Sequence, residues 1–236
     1  MASRAARYAC AMRPVTKGVP SIDDGRPFPD PRTAQDGLVA VGGEMSVERL
    51  LEAYRGGIFP WTADPITWWS PDPRAVFELD AIHIPRRLQA EVRKHPYRVT
   101  FDAAFDAVIE ACAAARREDD ETWITRQFLH AYKALHRAGF AHSIELWRKG
   151  QIVAGIYGVA MGGLFAGESM FHRERNASKI ALVLLQERLR DWGFVLFDTQ
   201  VLTPVTEMLG ARLIAREEYL ERVGRALGVE TKARWG

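Results

Sequence analysis

The chain has 236 residues, 47% of them apolar and 26% charged, with a net charge of +2. This composition supports an ordinary globular core and excludes a disordered chain. No apolar run reaches the roughly 18 residues that cross a bilayer, and the first residues lack the apolar centre of a secretory signal, so the expected compartment is the cytoplasm.

Residues 1–22 carry Arg4, Arg7, Arg13 and Lys17 with no acid and no periodicity, and read as a loosely ordered basic extension. Residues 23–74 read as a small, irregular N-terminal domain, rich in Pro, Gly and Trp from Phe28 onward. It has one helix after Ser46 and tight turns at Gly42-Gly43 and Gly56-Gly57. Pro71-Asp72-Pro73 closes it, because two prolines so close rule out a continuing helix or a central strand.

Residues 75–236 form the second domain. Pro85 suits the first turn of a basic helix, and the segment 83–98 sets Arg86, Arg87, Arg93, Lys94 and Arg98 against Glu91 alone. That cluster is either a solvated face or a nucleic-acid contact; the overall charge is too small to decide. Asp102 is expected to cap a helix carrying Phe105, Val108, Ile109 and Cys112, and a third helix covers 125–137 and stops at Gly139. Strands at 143–148, 153–160 and 164–171, turned at Gly150 and Gly162-Gly163, predict an antiparallel meander. Ser178 is expected to cap a helix ending at Gly193. A strand at 194–199, a short helix with Thr203 as cap and Pro204 as first residue, a strand at 212–215 and a last helix follow. This order predicts an α/β (α+β) fold: a small irregular N-terminal domain plus an acetyltransferase-like domain with a mixed, largely antiparallel sheet.

Three places carry chemistry. Phe59-Pro60-Trp61 and Trp68-Trp69 concentrate aromatics that form either a core or a platform for an unpaired base, with Tyr54 and Trp61 as candidates. Gly167-Glu168-Ser169-Met170-Phe171 ends an apolar strand, with Glu168 in line with Ile156, Leu164 and Phe165, where a carboxylate needs a cation or donors: an arginine, or a bound α-ammonium. Asp198 and Gln200 close a strand and, by alternation, share a face; they either cap the next helix or handle the proton of an attacking amine. Two cysteines, Cys10 and Cys112, exclude a disulfide framework, and six histidines without ligand spacing predict no metal and no cofactor.

The chain resembles the leucyl/phenylalanyl-tRNA-protein transferase family. The resemblance runs from Phe28-Pro29 to Tyr219 and includes Gly37 to Gly43, Ala53-Tyr54, the two tryptophan motifs, His83-Ile84 and Arg86. It continues through Thr122-Trp123-Ile124, Ala131-Tyr132, Leu135-His136, Ala141-His142-Ser143-Ile144-Glu145, Gly167-Glu168-Ser169-Met170-Phe171, Asn176-Ala177-Ser178-Lys179, Asp198-Thr199-Gln200 and Leu209-Gly210-Ala211.

The resemblance implies transfer of Leu or Phe, less readily Met, from aminoacyl-tRNA to proteins beginning with Arg or Lys, which marks them for degradation. It implies catalytic roles for Asp198 and Gln200 and adenosine contacts from Tyr54 and Trp61, with Trp123 also lining the site. Ile156, Phe165, Leu182, Leu185 and Phe197 would form the side-chain pocket, with Glu168 at its rim. Arg86, Arg87, Arg93 and Lys94 would meet the acceptor stem of the tRNA. The expected partners are aminoacyl-tRNA and acceptor proteins, with no membrane and a monomeric state. Val205 stands where the family commonly has His, which leaves a catalytically impaired tRNA-binding relative as one alternative. An acyl-CoA acetyltransferase is the other; it would need a glycine-rich turn before its helix, and residues 173–179 contain no glycine.

Overall fold

A computed structural model describes residues 18–23, 25–117 and 124–236. Residues 1–17 of the basic extension and Trp123 lie outside the described residues. Where the sequence suggests irregular chain, the N-terminal part builds a three-stranded antiparallel sheet in the order β1-β3-β2: β1 (Leu38–Val41), β2 (Phe59–Ala63) and β3 (Ile66–Trp69). These strands escape a periodicity search because they are short and β3 is buried along its whole length. Helix α1 (Val47–Arg55) follows Ser46 as expected, whose hydroxyl accepts from the Arg49 N–H at 3.3 Å.

The end of the presumed loose extension is fixed. Ile22 N–H donates to the Val41 carbonyl and Val41 N–H to the Pro20 carbonyl, both at 3.0 Å, and Ile22 is buried. Burying one isoleucine and pairing two amides outweighs the tendency of a chain end to fray.

The larger sheet has seven strands in the order β10-β4-β9-β8-β7-β6-β5. These are β4 (Arg74–Phe77), β5 (Arg98–Phe101), β6 (Ala141–Arg148), β7 (Gln151–Met161), β8 (Leu164–His172), β9 (Leu196–Gln200) and β10 (Arg212–Ile214). The meander β6-β7-β8 is antiparallel, and β9 joins β8 in parallel, so the sheet is mixed and largely antiparallel. Helices cover both faces. On one, α3 (Phe105–Arg117) and α4 (Arg126–Arg137) enclose a core that includes Val108, Phe128, Tyr132 and Tyr157. On the other, α2 (Arg86–Arg93) and α5 (Ala177–Asp191) enclose Leu88, Ile144, Ile156 and Leu185. Burial on both faces is why the middle of β7 is a nearly continuous apolar run.

Two capping expectations change. Asp102 does not cap α3; its carboxylate accepts from Ser143 N–H at 2.7 Å and meets His142 Nδ1 at 2.6 Å, pinning the start of β6. Ser178 lies inside α5, whose cap is Asn176 with a left-handed backbone. Thr203 and Pro204 behave as predicted: α6 (Pro204–Met208) opens with a capping box between Thr203 and Thr206.

After α7 (Arg216–Leu227) the chain runs under the β7-β8 turn, where Gly163 N–H donates to the Ala226 carbonyl at 2.7 Å. It then returns to place Trp235 flat on His142 at 4.3 Å, with Trp192 at 4.7 Å and Phe165 at 5.9 Å. This aromatic cluster ties the C-terminus to β5, β6, β8 and α5 at once. Replacing Trp235 by Ala is expected to lower the unfolding free energy by about 2 to 3 kcal/mol, less than the roughly 3 to 5 kcal/mol of a fully buried aromatic because the ring is half-buried. Denaturant titration checks this; unchanged stability would mean the tail is idle.

Candidate active site

The site forms where the parallel pair β8-β9 parts. Pairing ends at Ala166 opposite Asp198, and the strands diverge around a cavity of about 240 Å³. Both strands are irregular there. Tyr157 pairs with Ser169 while Gly158 pairs with Gly167, so Glu168 is an extra residue, a β-bulge. Ala75 pairs with Gln200 while Val76 pairs with Asp198, which makes Thr199 the extra residue on β9. Gly158 permits the first bulge, because a Cβ there would collide with the Ala166 carbonyl.

Four elements converge on the Glu168 carboxylate. Its Oε1 faces the hydroxyl of Tyr54 from α1 at 2.8 Å and accepts from Nε2 of Gln200 at 2.8 Å; its Oε2 faces the hydroxyl of Tyr132 from α4 at 3.0 Å. The two tyrosine hydroxyls also meet each other at 2.6 Å. Two phenol protons thus face three contacts, and all three are satisfied only in the protonated form of Glu168. The electrostatics agree: burial, aided by the charge of Asp198, outweighs the donors and pushes the Glu168 carboxyl up to about 7. Burial together with the Glu168 charge holds both tyrosines well above the ordinary phenol range, so they stay neutral.

Behind this shell Asp198 is fully buried and forms a bidentate pair with Arg74, at 2.9 Å to Nε and 2.7 Å to Nη2. The Tyr219 hydroxyl donates to it at 2.8 Å, and the Arg74 guanidinium lies between the rings of Phe59 and Tyr219, at 4.7 and 4.3 Å. Asp198 Oδ1 also accepts the backbone N–H of Gln200 at 2.8 Å. Gln200 has φ of 57°, a left-handed backbone that costs a non-glycine residue roughly 1 kcal/mol or more. That turn ends the alternation, so Asp198 faces the interior while the Gln200 side chain reaches the cavity. Its amide NH₂ is committed to Glu168, which leaves the carbonyl oxygen as the end that can accept.

The cavity brings together Trp61, Ile156, Glu168, Leu182, Phe197 and Gln200 from the residues expected of a site. It does not bring in the others. Tyr54 is 2% exposed and serves Glu168 in place of stacking on a ligand. Phe165 packs behind Phe197 at 5.3 Å, Leu185 is buried in the core, and Asp198 stands one layer back. Phe59, from the aromatic stretch, also lines the cavity, as do Met170, Thr199 and Thr206, for which the sequence offered no role. Arg86, Arg87, Arg93 and Lys94 all lie exposed on or just after α2, whose Leu88 and Val92 are buried, so the basic face points to solvent. Arg74 and Tyr219 had no sequence signal as partners of Asp198, because neither lies near it in the chain.

No described helix is long and apolar enough to cross a membrane. The family model described as leucyl/phenylalanyl-tRNA protein transferase matches residues 76–224, and that of its N-terminal domain matches residues 43–72. A leucyl/phenylalanyl-tRNA–protein transferase of Pseudomonas fluorescens (strain Pf0-1) is 52% identical over 85% of this chain and 89% of its own length. The protein of that name from Stutzerimonas stutzeri (strain A1501) is 49% identical over 90% and 96%. Among solved structures, a GCN5-related N-acetyltransferase-like protein from Streptococcus suis 89/1591 aligns at 17% identity with a TM-score of 0.36, over 71% of this chain and 64% of its own. With half of its residues shared along nearly the full length of such relatives, and a cavity built from the residues that carry the resemblance, the chain belongs to the leucyl/phenylalanyl-tRNA–protein transferase family.

Proposed function

We propose that the protein transfers Leu or Phe, less readily Met, from aminoacyl-tRNA to the N-terminal amine of proteins beginning with Arg or Lys, as a cytoplasmic monomer. The observation that carries this reading is the cavity itself: an apolar slot of Ile156, Leu182, Met170 and Phe197 that ends on the polar pair Glu168 and Gln200. The slot suits a side chain unbranched at Cβ, and Trp61 at its mouth offers a face for the terminal adenine. A pocket of this kind ranks Leu, Phe and Met more than it excludes any of them, since one methylene is worth only about 1 to 3 kcal/mol.

The reaction needs orientation and a proton path, because the aminoacyl ester is already activated. The acceptor amine attacks the ester carbonyl carbon; a C–N bond forms, the bond to the ribose oxygen breaks, and that hydroxyl leaves with a proton. Holding the two reactants in contact supplies roughly 7 kcal/mol or more of the barrier. The Gln200 carbonyl oxygen accepts a hydrogen bond from the attacking amine. Glu168, titrating near neutrality, attracts ammonium groups and takes up the proton an acceptor must lose. Asp198 acts from behind by holding the Gln200 backbone. The exposed basic face of α2 receives the acceptor stem.

Two outcomes follow. Gln200→Ala is expected to reduce kcat for transfer of Phe from charged tRNA to an Arg-initiated peptide by about 100-fold or more while donor KM changes little, as for a group used in the transition state. Steady-state kinetics with labelled donor checks this, and near-normal kcat would remove Gln200 from the mechanism. The second concerns pH. The folded-state pKa of Glu168, about 7, exceeds its ordinary 4.5, so between those values the folded protein binds the extra proton and stability falls as pH rises. Relative to Glu168→Gln, the wild type should lose about 2 kcal/mol of unfolding free energy from about pH 5.5 to about pH 8. Parallel pH profiles for the two proteins would show that Glu168 titrates in its ordinary range.

A further inference from the structure

A second opening, of about 480 Å³, shares Met170 with the donor cavity and is lined by His172, Arg175, Asn176, Lys179 and Val205. Among the described residues, no acidic side chain lines it. Arg175 and Lys179 make no ion pair among the described residues; Lys179 Nζ donates only to the Asn176 side-chain oxygen, at 3.2 Å. The amide of the same Asn176 donates to both carboxylate oxygens of Glu91 on α2, at 3.2 and 3.0 Å. Asn176 therefore joins the basic face of α2 to this opening, and it occupies the one acid of that basic segment. The connection from β8 to α5 holds Arg173, Glu174, Arg175 and Asn176 and no glycine, so side chains and not closely approached backbone amides supply the positive charge.

The opening thus lies between the basic helix and the donor cavity, with two cations that make no ion pair among the described residues and one carboxylate, Glu91, held off by Asn176. We propose that it holds a phosphodiester of the single-stranded 3′ end of the donor tRNA, contacted by Arg175 and Lys179. This inference rests on the tRNA-dependent reading above. Phosphates that follow the chain from the acceptor stem to the terminal adenosine pass this opening before the ester reaches Gln200. A guanidinium and an ammonium on either side of one phosphodiester give charge-assisted hydrogen bonds without reading a base. Val205 supplies only an apolar wall, so the charge here rests on β8, α5 and the turn between them.

The experiment compares wild type, Arg175→Ala, Lys179→Ala and the double variant with two donors: charged tRNA, and 3′-O-phenylalanyl-adenosine, which carries no phosphate. The double variant is expected to raise KM for charged tRNA roughly tenfold and to flatten the log-log dependence of tRNA binding on salt by about 0.7, the slope of one neutralised phosphate on a single strand. Its use of the phosphate-free donor should match wild type. Unchanged KM and salt slope in the variants, with an active wild type, would overturn this site and leave the transferase reading intact. Equal damage with both donors would also overturn it, since the substitutions would then be disturbing the donor cavity. A wild type that moves no amino acid from charged tRNA would overturn the transferase reading itself.

Discussion

The buried pair of Arg74 and Asp198 is the contact on which the site depends. Each partner is almost wholly enclosed, so neither charge is tolerable without the other, and removing one costs roughly 3 to 5 kcal/mol. The pair joins β4 to β9 across the sheet, anchors Tyr219 of α7, and fixes the guanidinium between two aromatic rings. One carboxylate oxygen also reaches the backbone of Gln200 and holds it in a conformation that glutamine does not prefer. The ion pair and the Gln200 backbone are therefore one structural unit, with Asp198 standing behind the cavity that the Gln200 side chain reaches. Arg74 stays charged throughout, held up by the Asp198 charge against its own burial.

Glu168 is the complementary feature. Its bulge brings a carboxylate into a wall of apolar strand, and the fold answers with donors from three other elements and not with a cation. Neutral donors leave the carboxylate close to its titration point, whereas an arginine at the same place would have held it ionised and inert. The stability lost on ionising Glu168 near neutral pH is of the kind that functional sites commonly carry.

Much of the fold was legible in the sequence because local rules govern it. The β6-β7-β8 meander follows from apolar runs broken at Gly150 and Gly162-Gly163, and α6 follows from Thr203-Pro204. The small N-terminal sheet was not legible: its strands are short, and Pro60 stands inside one of them. Asp102 and Ser178 looked like caps because residue type alone suggests it, yet each is drawn elsewhere by a tertiary partner. Trp235 gave no signal, since its partners are spread from Phe101 to Phe194.

The site was legible in another way. Glu168 stood out as an acid within an apolar strand and Gln200 by its place at a strand end, while their proposed roles came from the family resemblance. What the sequence could not show was depth. Alternation placed Asp198 and Gln200 side by side, but the left-handed turn at Gln200 puts one in the cavity and the other behind it. Tyr54 likewise read as a surface platform and is a buried donor.

A double-mutant cycle of transfer rates measures directly whether Asp198 acts through Gln200. Asp198→Asn, Gln200→Ala and the double variant would be compared at saturating charged tRNA, in proteins shown to bind it. If Asp198 works by positioning Gln200, the double variant is no slower than the slower single variant. Losses that multiply would show that Asp198 contributes independently, and would contradict the arrangement described.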